Sequence, residues 1–273
     1  MKVYSIFFSP GGSTKKCVLN VASGFKDVEH ITIDMNDIKN RSKDHYFKSD
    51  DLVIIGMPTM TKLFGLPSDI VSRLYGDKTP FVGLVTCGNG YYGKGLIALN
   101  TIMTRQNFRI VGAGGFVGQY SFNKEIAKGR PDDRDKVMQV DMGRRIQEKL
   151  LSGDLSFNHK LKIDWPREGA FSTVKCGLVS LLPGPGGELP KSMRSLDVHD
   201  TCVKCKKCIK ACPVGAITFK EGIVIDNEKC IGCFACGNTC PVNAIHHTNQ
   251  MMIKSVKNVV SFRDKRKPLD IFI

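Results

Sequence analysis

Eight of the eleven cysteines in this 273-residue chain occur in two short runs. The first run, CVKCKKCIKACP, extends from Cys202 to Pro213, and the second, CIGCFACGNTCP, extends from Cys230 to Pro241. All four cysteines and the proline of the first run recur 28 positions later, as do Val214, Ala216 and Ile217. The two runs are therefore copies of one internal repeat. The amino terminus does not resemble a signal peptide, so we expect a reducing cytoplasm, in which grouped thiols bind metal rather than form disulfides.

The spacing C-x2-C-x2-C-x3-C-P separates two kinds of metal site. Zinc, the alternative, is usually bound by two close pairs of Cys or His with a loop between them. Three thiols at three-residue spacing, followed by a fourth and a proline, form the run by which bacterial ferredoxins hold two [4Fe–4S] clusters, the fourth cysteine binding the other cluster. The spacing thus predicts two clusters with crossed ligands. Cluster one would be held by Cys202, Cys205, Cys208 and Cys240, and cluster two by Cys230, Cys233, Cys236 and Cys212.

Ahead of the repeat, residues 1–152 alternate short apolar runs with amphipathic segments. Five strands are predicted, at KVYSIFF, HITIDM, DLVIIG, PFVGLVT and FRIVGAGGFVG, and helices follow the first, third, fourth and fifth of them. Continuous apolar strands separated by helices are typical of a parallel sheet covered on both faces. A stretch rich in proline and glycine then predicts a linker over 153–195, followed by the cluster domain at 196–250 and a basic tail at 251–273.

Three loops follow the predicted strands at the edge where open α/β sheets bind ligands. The first can bring backbone amides and hydroxyls to an anion and comprises Ser9, Pro10, Gly11, Gly12, Ser13 and Thr14. The second comprises Pro58, Thr59 and Met60. The third comprises Thr86, Cys87, Gly88, Asn89, Tyr91 and Tyr92, and one of its tyrosines could stack on a flat ring. Ordinary tight turns are the alternative interpretation of all three.

These loops resemble the flavin-binding loops of flavodoxins. SPGGST is similar to the flavodoxin phosphate loop, GMPT to the second flavin loop, and TCGNGYYGKGL to the third. GAGGFVGQYSF and GRPDDRD look like segments of proteins from anaerobic prokaryotes in which a flavodoxin-like domain is fused to a two-cluster ferredoxin. The resemblance covers about 1–150 and 196–250. It implies a flavodoxin-like doubly wound five-stranded parallel sheet, a small α+β ferredoxin domain, one FMN and two [4Fe–4S] clusters.

The expected function is electron relay between FMN and the clusters, to or from an external oxidoreductase. The chain has no convincing general acid, nucleophile or NAD fingerprint, although a flavin-dependent reductase fed by the clusters is the alternative. Its formal charge of +14 raises a third function, nucleic-acid binding. Clusters and an FMN phosphate would lower that charge to about +8, so nucleic acid is not the expected partner.

The expected partner is a redox protein, and no apolar stretch is long enough to predict a membrane span. In the tail, exposed positive charge would attract an acidic partner and raise the association rate. The tail residues expected to do this are Arg263, Lys265, Arg266 and Lys267.

Overall fold

The computed structural model describes residues 1–59, 69–164, 195–248 and 266–273. In chain order the elements of the front domain are β1 (Lys2–Phe7), α1 (Ser13–Ala22), β2 (Glu29–Asp34), α2 (Ile38–Arg41), β3 (His45–Phe47), β4 (Leu52–Pro58), α3 (Asp69–Ser72), β5 (Leu74–Gly76), β6 (Thr79–Cys87), α4 (Gly95–Arg105), β7 (Phe108–Val117) and α5 (Asp133–Leu151). The cysteine-rich part follows as β8 (Leu196–Val198), α6 (Lys207–Ala211), β9 (Ile217–Phe219), β10 (Ile223–Ile225), α7 (Ala235–Thr239) and β11 (Ile245–His247), and β12 (Asp270–Phe272) ends the chain.

The main sheet has the strand order β12-β7-β6-β4-β1-β2. Its first five strands in sequence are parallel and confirm the predicted five-stranded sheet. Numbered among themselves, they lie in the order 2-1-3-4-5, which is the flavodoxin-like doubly wound order. That order puts the switch point beside β1 and β4, so the loops after these strands border the crevice where this fold binds ligands.

Apolar side chains cover both faces of this sheet, as the continuous apolar runs predict. On one face, α1 and α5 pack against it through Val18 and Ile146. On the other face, α4 contributes Leu99 and Met103 to a second core cluster. Every residue of β6 is buried, which agrees with a central strand covered from both sides.

The helix predicted after the third strand, whose sequence signal covers PSDIVSRLYG (67–76), ends earlier in the structure. Within its described part, α3 ends at Ser72, and the next residues form β5, which pairs in parallel with β3. Leu74 is fully buried in the core, and the ring of Tyr75 stacks on that of Tyr46 at 5.2 Å. Pairing with a distant strand outweighs local helix preference here, because it buries Leu74 and bonds the backbone of both segments.

The cysteine-rich part is a small α+β unit whose two repeats fold alike, as predicted. Hairpin β9–β10 and the antiparallel pair β8–β11 surround α6 and α7. The residues that precede these two helices, Lys206 and Phe234, both have a left-handed backbone with φ of 59°. Leu196, Ile217 and Ile245 form its core together with several of the cysteines.

The front domain contacts the cysteine-rich unit mainly through the second repeat. The buried guanidinium of Arg41 donates hydrogen bonds to the carbonyls of Met35 and Pro213 and so links the two parts. The ring of Phe122 lies 5.6 Å from that of Phe234. Ile231 packs against the core cluster of the front domain.

The predicted basic tail ends in residues that belong to the main sheet. Strand β12 pairs antiparallel with β7, where Asp270 lies opposite Gly115, and adds a sixth strand to the sheet. Arg266 forms ion pairs with Asp132 and Asp135.

Lys267 pairs with Asp164. The prediction that Arg266 and Lys267 help to steer an acidic partner is therefore wrong, because carboxylates of the same chain already bind both cations. Arg263 and Lys265 lie outside the described residues.

Candidate functional site

The loop between β1 and α1 forms a compact turn that directs the helix N-terminus into a cleft. Gly12 caps α1 with φ of 83°, a left-handed conformation that glycine adopts without strain. The hydroxyl of Ser9 accepts a hydrogen bond from the backbone N–H of Lys15 at 2.9 Å. Gly12 supplies no capping oxygen, and Ser9 binds only one N–H of the first turn, so the positive end of the α1 dipole can still attract an external anion.

The second and third loops are joined to the first by hydrogen bonds. The hydroxyls of Thr14 and Thr86 lie 2.6 Å apart, and the N–H of Thr59 donates to the carbonyl of Thr86 at 2.8 Å. Residues of all three loops line the same cleft. Of the predicted residues, those that line it are Ser9, Pro10, Gly11, Ser13, Thr14, Pro58, Thr59, Thr86, Cys87 and Gly88.

Five predicted residues of these loops, Tyr92 among them, do not line the cleft or lie outside the described residues. Gly12 shapes the turn, and Asn89 accepts a hydrogen bond from the N–H of Lys267 at 3.2 Å. Tyr91 is also absent from the cleft wall. Met60 lies outside the described residues.

Tyr92 points away from the cleft and is therefore not the tyrosine that could stack on a flat ring there. The side chain is 3% exposed, and its hydroxyl donates to the carboxylate of Asp270 at 2.9 Å. Burial and this hydrogen bond raise the pKa of Tyr92 well above its ordinary value. Gly115 leaves the space that the ring occupies, because a β-carbon there would lie 2.1 Å from it.

The loop after β7 borders the cleft and was missed as a site from the sequence. Its cleft-lining residues are Gly118, Gln119, Tyr120, Ser121 and Phe122. A β-carbon on Gly118 would lie 2.5 Å from the β-carbon of Ser13, so glycine permits the close approach of this loop to the first one. Two aromatic residues directly after the fifth strand were the available signal in the sequence.

The second repeat supplies another wall of the same cleft, through Ile231, Gly232 and Cys233. Nearby, the side-chain amide nitrogen of Asn238 is buried and has no hydrogen-bond partner among the described residues. That nitrogen lies 3.9 Å from the position that a β-carbon on Gly11 would take. An orphaned donor beside the first loop, together with the open helix end, fits the phosphate of a ligand such as FMN.

The cysteines predicted to bind cluster one surround a single small cavity. Cys202, Cys205, Cys208 and Cys240 all line it, together with apolar residues that include Val198 and Ile245. The fourth of these cysteines comes from the other repeat, as the crossed arrangement requires. Its sulfur accepts a hydrogen bond from the N–H of Ala244 at 3.2 Å.

The cysteines predicted to bind cluster two also lie together. Burial raises the pKa of the Cys233 thiol to about 12, and the neighbouring Cys212 and Cys230 raise it further. Burial and the same neighbours raise the pKa of Cys236. Burial makes it unfavourable to deprotonate these thiols in the absence of metal. A bound metal compensates by stabilising the thiolates, so the donor set fits an iron–sulfur cluster. Across the described residues, no three Cys, His, Asp or Glu side chains converge on a single-ion site.

A comparison with known protein families supports iron–sulfur binding by the cysteine-rich segment. A family model described as a 4Fe–4S dicluster domain matches residues 201–244, which include all eight. No curated protein matches the chain. Within its described parts, the chain has no helix with the length and apolar character needed to cross a membrane.

Two solved structures resemble the front part of the chain. One is a flavodoxin from the domain Archaea, with 16% sequence identity and a TM-score of 0.39 over 55% of this chain and 99% of that chain. The other is the rubredoxin oxygen:oxidoreductase from the anaerobe Desulfovibrio gigas, with 17% identity and a TM-score of 0.36 over 55% of this chain and 36% of that chain. By its own strand order and its dicluster segment, the chain joins a flavodoxin-like α/β domain to a 4Fe–4S dicluster domain, an architecture that supports a role in electron transfer.

Proposed function

We propose that this protein relays electrons between an FMN, held in the interdomain cleft, and two [4Fe–4S] clusters, and exchanges them with an external oxidoreductase. One observation carries the proposal. Cys233, a predicted ligand of cluster two, lies in the wall of the same cleft that the first loop and the strand ends form. A flavin in this cleft would therefore lie next to a cluster ligand.

Residues of both domains would hold the flavin. Its phosphate would lie at the N-terminus of α1, within reach of the backbone of Gly11 and the amide of Asn238. Apolar walls from Phe8, Phe122 and Ile231 would exclude water from the ring. The compact first loop suits a single phosphate, which favours FMN over FAD. When bound, FMN exchanges one or two electrons and a [4Fe–4S] cluster exchanges one.

The positions of the two cysteine sets indicate the order in which electrons would pass between the cofactors. Set two, with Cys233, borders the cleft, whereas set one includes Cys205, which is exposed to solvent. Backbone N–H groups that donate to Cys212, Cys230 and Cys240 favour negative charge on these sulfurs. The proposed order is cleft, set two, set one and then the surface.

Anaerobic purification with quantified cofactors tests this function. We expect about one FMN and about eight iron and eight sulfide ions per chain. Gly118→Ala should weaken FMN binding at least about tenfold, because its β-carbon would push Ser13 and the first loop away. Gly222→Ala is the matched control, since a β-carbon there meets nothing within 4 Å. Iron content should be equal in both variants.

Two results would contradict the proposal. A protein that contains the clusters but neither carries nor takes up FMN would refute the relay, although the fold would stand. Rapid turnover of a quinone, nitro or enone compound with reduced ferredoxin as electron donor would instead favour the flavin-dependent reductase.

A further inference from the structure

The two copies of the cysteine repeat have opposite surroundings in the protein. The second copy faces the front domain, and its residues between the cysteines are uncharged: Ile231, Gly232, Phe234, Ala235 and Asn238. At the equivalent positions, 28 residues earlier, the first copy has Val203, Lys204, Lys206, Lys207 and Lys210. Residues 201–220 contain five lysines and no acidic residue.

Burial follows the same division. Ile231 packs on the core of the front domain, whereas its equivalent Val203 is 59% exposed. The two prolines follow the crossed ligands instead of the copies: Pro213, next to Cys212 of set two, is buried and accepts a hydrogen bond from Arg41, whereas Pro241, next to Cys240 of set one, is exposed. The first copy therefore presents to solvent the surface that the second copy uses to dock onto the front domain. We call Val203, Lys204, Cys205, Lys206, Lys207 and Lys210 the outer face.

We propose that the outer face docks an acidic redox protein and is the port through which single electrons enter or leave. This inference rests on the proposed function, since the exposed Cys205 must hold cluster one. One electron crosses the face per encounter, so that one partner is oxidised and the other reduced, and no atom is transferred. The recognition elements are an apolar centre at Val203 and a ring of lysine ammonium groups around it.

The charges of the outer face are available to a partner. None of its four lysines forms an ion pair with any residue in the described ranges, and Lys206 extends over the ring of Phe219 at 4.1 Å. Unpaired positive charge around a cluster ligand attracts and orients an acidic surface, which raises the rate of productive encounter. This role replaces the one expected of Arg266 and Lys267, which are bound internally.

The backbone gives a second reason to assign a role to these side chains. Lys204 has φ of 52°, and its equivalent in the second copy is Gly232 with φ of 69°. A residue with a β-carbon is strained in this conformation, whereas glycine is not. The first copy thus has lysine where glycine would be the more stable choice, and at Lys206 the same conformation recurs.

The test compares two variants in which four lysines become glutamine. The first changes Lys204, Lys206, Lys207 and Lys210, and the matched control changes Lys26, Lys43, Lys136 and Lys160, which are exposed outside the cysteine-rich unit. The probes are an acidic [2Fe–2S] ferredoxin and a basic haem cytochrome. Electron exchange with the holoprotein is followed by anaerobic stopped flow from about 10 mM to about 500 mM salt, and affinity for the oxidised probes is measured by calorimetry.

The outer-face variant should exchange electrons with the acidic probe at least about tenfold more slowly at low salt and bind it more weakly. The control variant should differ from the natural protein less than about twofold, and the rates of all three should converge at high salt, where charges are screened. Lys204→Gly should lower the rate of electron exchange with the acidic probe without loss of thermal stability. With the basic cytochrome, the outer-face variant should be no slower than the natural protein.

The inference is overturned if the two quadruple variants exchange electrons with the acidic probe at the same rate. It is also overturned if the outer-face variant loses affinity for RNA or anionic vesicles but keeps its affinity for the acidic probe. Iron content and reduction of the clusters by dithionite are measured in the same samples. A protein without clusters would refute the proposed function, whereas intact, reducible clusters with an unchanged acidic-probe rate would refute the outer face alone.

Discussion

The fourth cysteine of each run, Cys212 or Cys240, is bonded in the same way in both repeats. Each sulfur accepts a hydrogen bond at 3.2 Å from the N–H four residues later, on Ala216 or Ala244. Each of these cysteines also ends a short helix in an extended conformation. The chain therefore leaves both helices at the residue whose sulfur must reach the other cluster.

Replacement of Cys212 by Ala should damage the cluster that the second repeat holds and leave the other cluster largely intact. The physical reason is that Cys212 lies with Cys230, Cys233 and Cys236, while the cavity of the first set contains Cys240. Iron analysis should show a loss of up to about half of the metal, and electron paramagnetic resonance of the reduced protein should show which cluster remains.

Cys17→Ala is the control for this change, because Cys17 is fully buried in the front-domain core and belongs to neither set. It should retain both clusters. Loss of the cluster held by Cys202, Cys205 and Cys208 in the Cys212→Ala protein would refute the crossed assignment.

Among the elements, β12 does more than extend the sheet. The segment that contains it brings Arg266 to Asp135, which is 1% exposed and already paired with Arg130 at 2.6 Å. It also anchors the third loop, where Asp270 accepts from Tyr92 and the N–H of Lys267 donates to the side-chain carbonyl of Asn89. One short strand thus supports both the edge of the sheet and a wall of the cleft.

A chain that stops after residue 265 should be less stable by roughly 2–4 kcal/mol, because it loses the pairing of β7 and one of the two cations at the buried Asp135. It should also bind FMN more weakly, since the third loop loses its anchors. Denaturant unfolding and flavin titration measure the two effects. Arg134→Gln, which changes an exposed cation on α5, should alter neither. Unchanged FMN affinity in the shortened chain would show that the segment containing β12 does not support FMN binding.

For the whole molecule, the contact between the two domains includes a buried imidazole. His247 lies between Phe234, whose ring is 5.0 Å away and nearly parallel, and Phe122, whose ring is 4.9 Å away. Neither ring nitrogen of His247 has a hydrogen-bond partner within the described residues. Burial, with a smaller effect of the neighbouring His246, lowers the pKa of His247 to about 4.

The stability of the folded protein should therefore fall as the pH is lowered from about 6.5 towards 4. In this window an exposed histidine in the unfolded chain binds a proton that the folded state excludes, so the unfolded state gains protons and stability decreases. Above about pH 6.5 the contribution of His247 to the free energy of unfolding is constant. The difference between the thermal unfolding midpoints at pH 7.5 and pH 5.5 should be smaller for His247→Phe than for the natural protein.

His30→Gln is the control, because His30 is exposed on β2 and far from this contact in the sheet order. It should keep the pH dependence of the natural protein. A His247→Phe protein with the same pH dependence as the natural one would show that this imidazole does not titrate at the domain contact.

Much of the fold could be predicted because its signals are local. The five parallel strands are continuous apolar runs, and the cysteine spacing is a property of consecutive residues. Where prediction failed, a distant segment decided the outcome. The residues around Leu74 leave a helical pattern to pair with β3, and β12 has only three residues, too few for any periodicity.

The candidate site divides in the same way. The first loop and the cysteine sets could be named from the sequence, because a glycine turn after a strand and a cysteine run act through their own backbone. Tyr92 could not be placed, since only its packing over Gly115 and its bond to Asp270 turn it away from the cleft. Ser121 and Phe122 were missed because they become part of the cleft only when the loop after β7 approaches the first loop.

The sequence by itself determined the two modules, the order of the strands along the chain and the thiols that can bind metal. Each of these follows from chemistry within about 30 residues. Only the tertiary structure decided which copy of the repeat faces the front domain and which faces solvent. The two copies have the same ligand spacing, so spacing cannot distinguish them. Burial does, because Gly232 and Phe234 lie at the contact with the front domain, where the equivalent Lys204 and Lys206 would require ammonium groups to be desolvated.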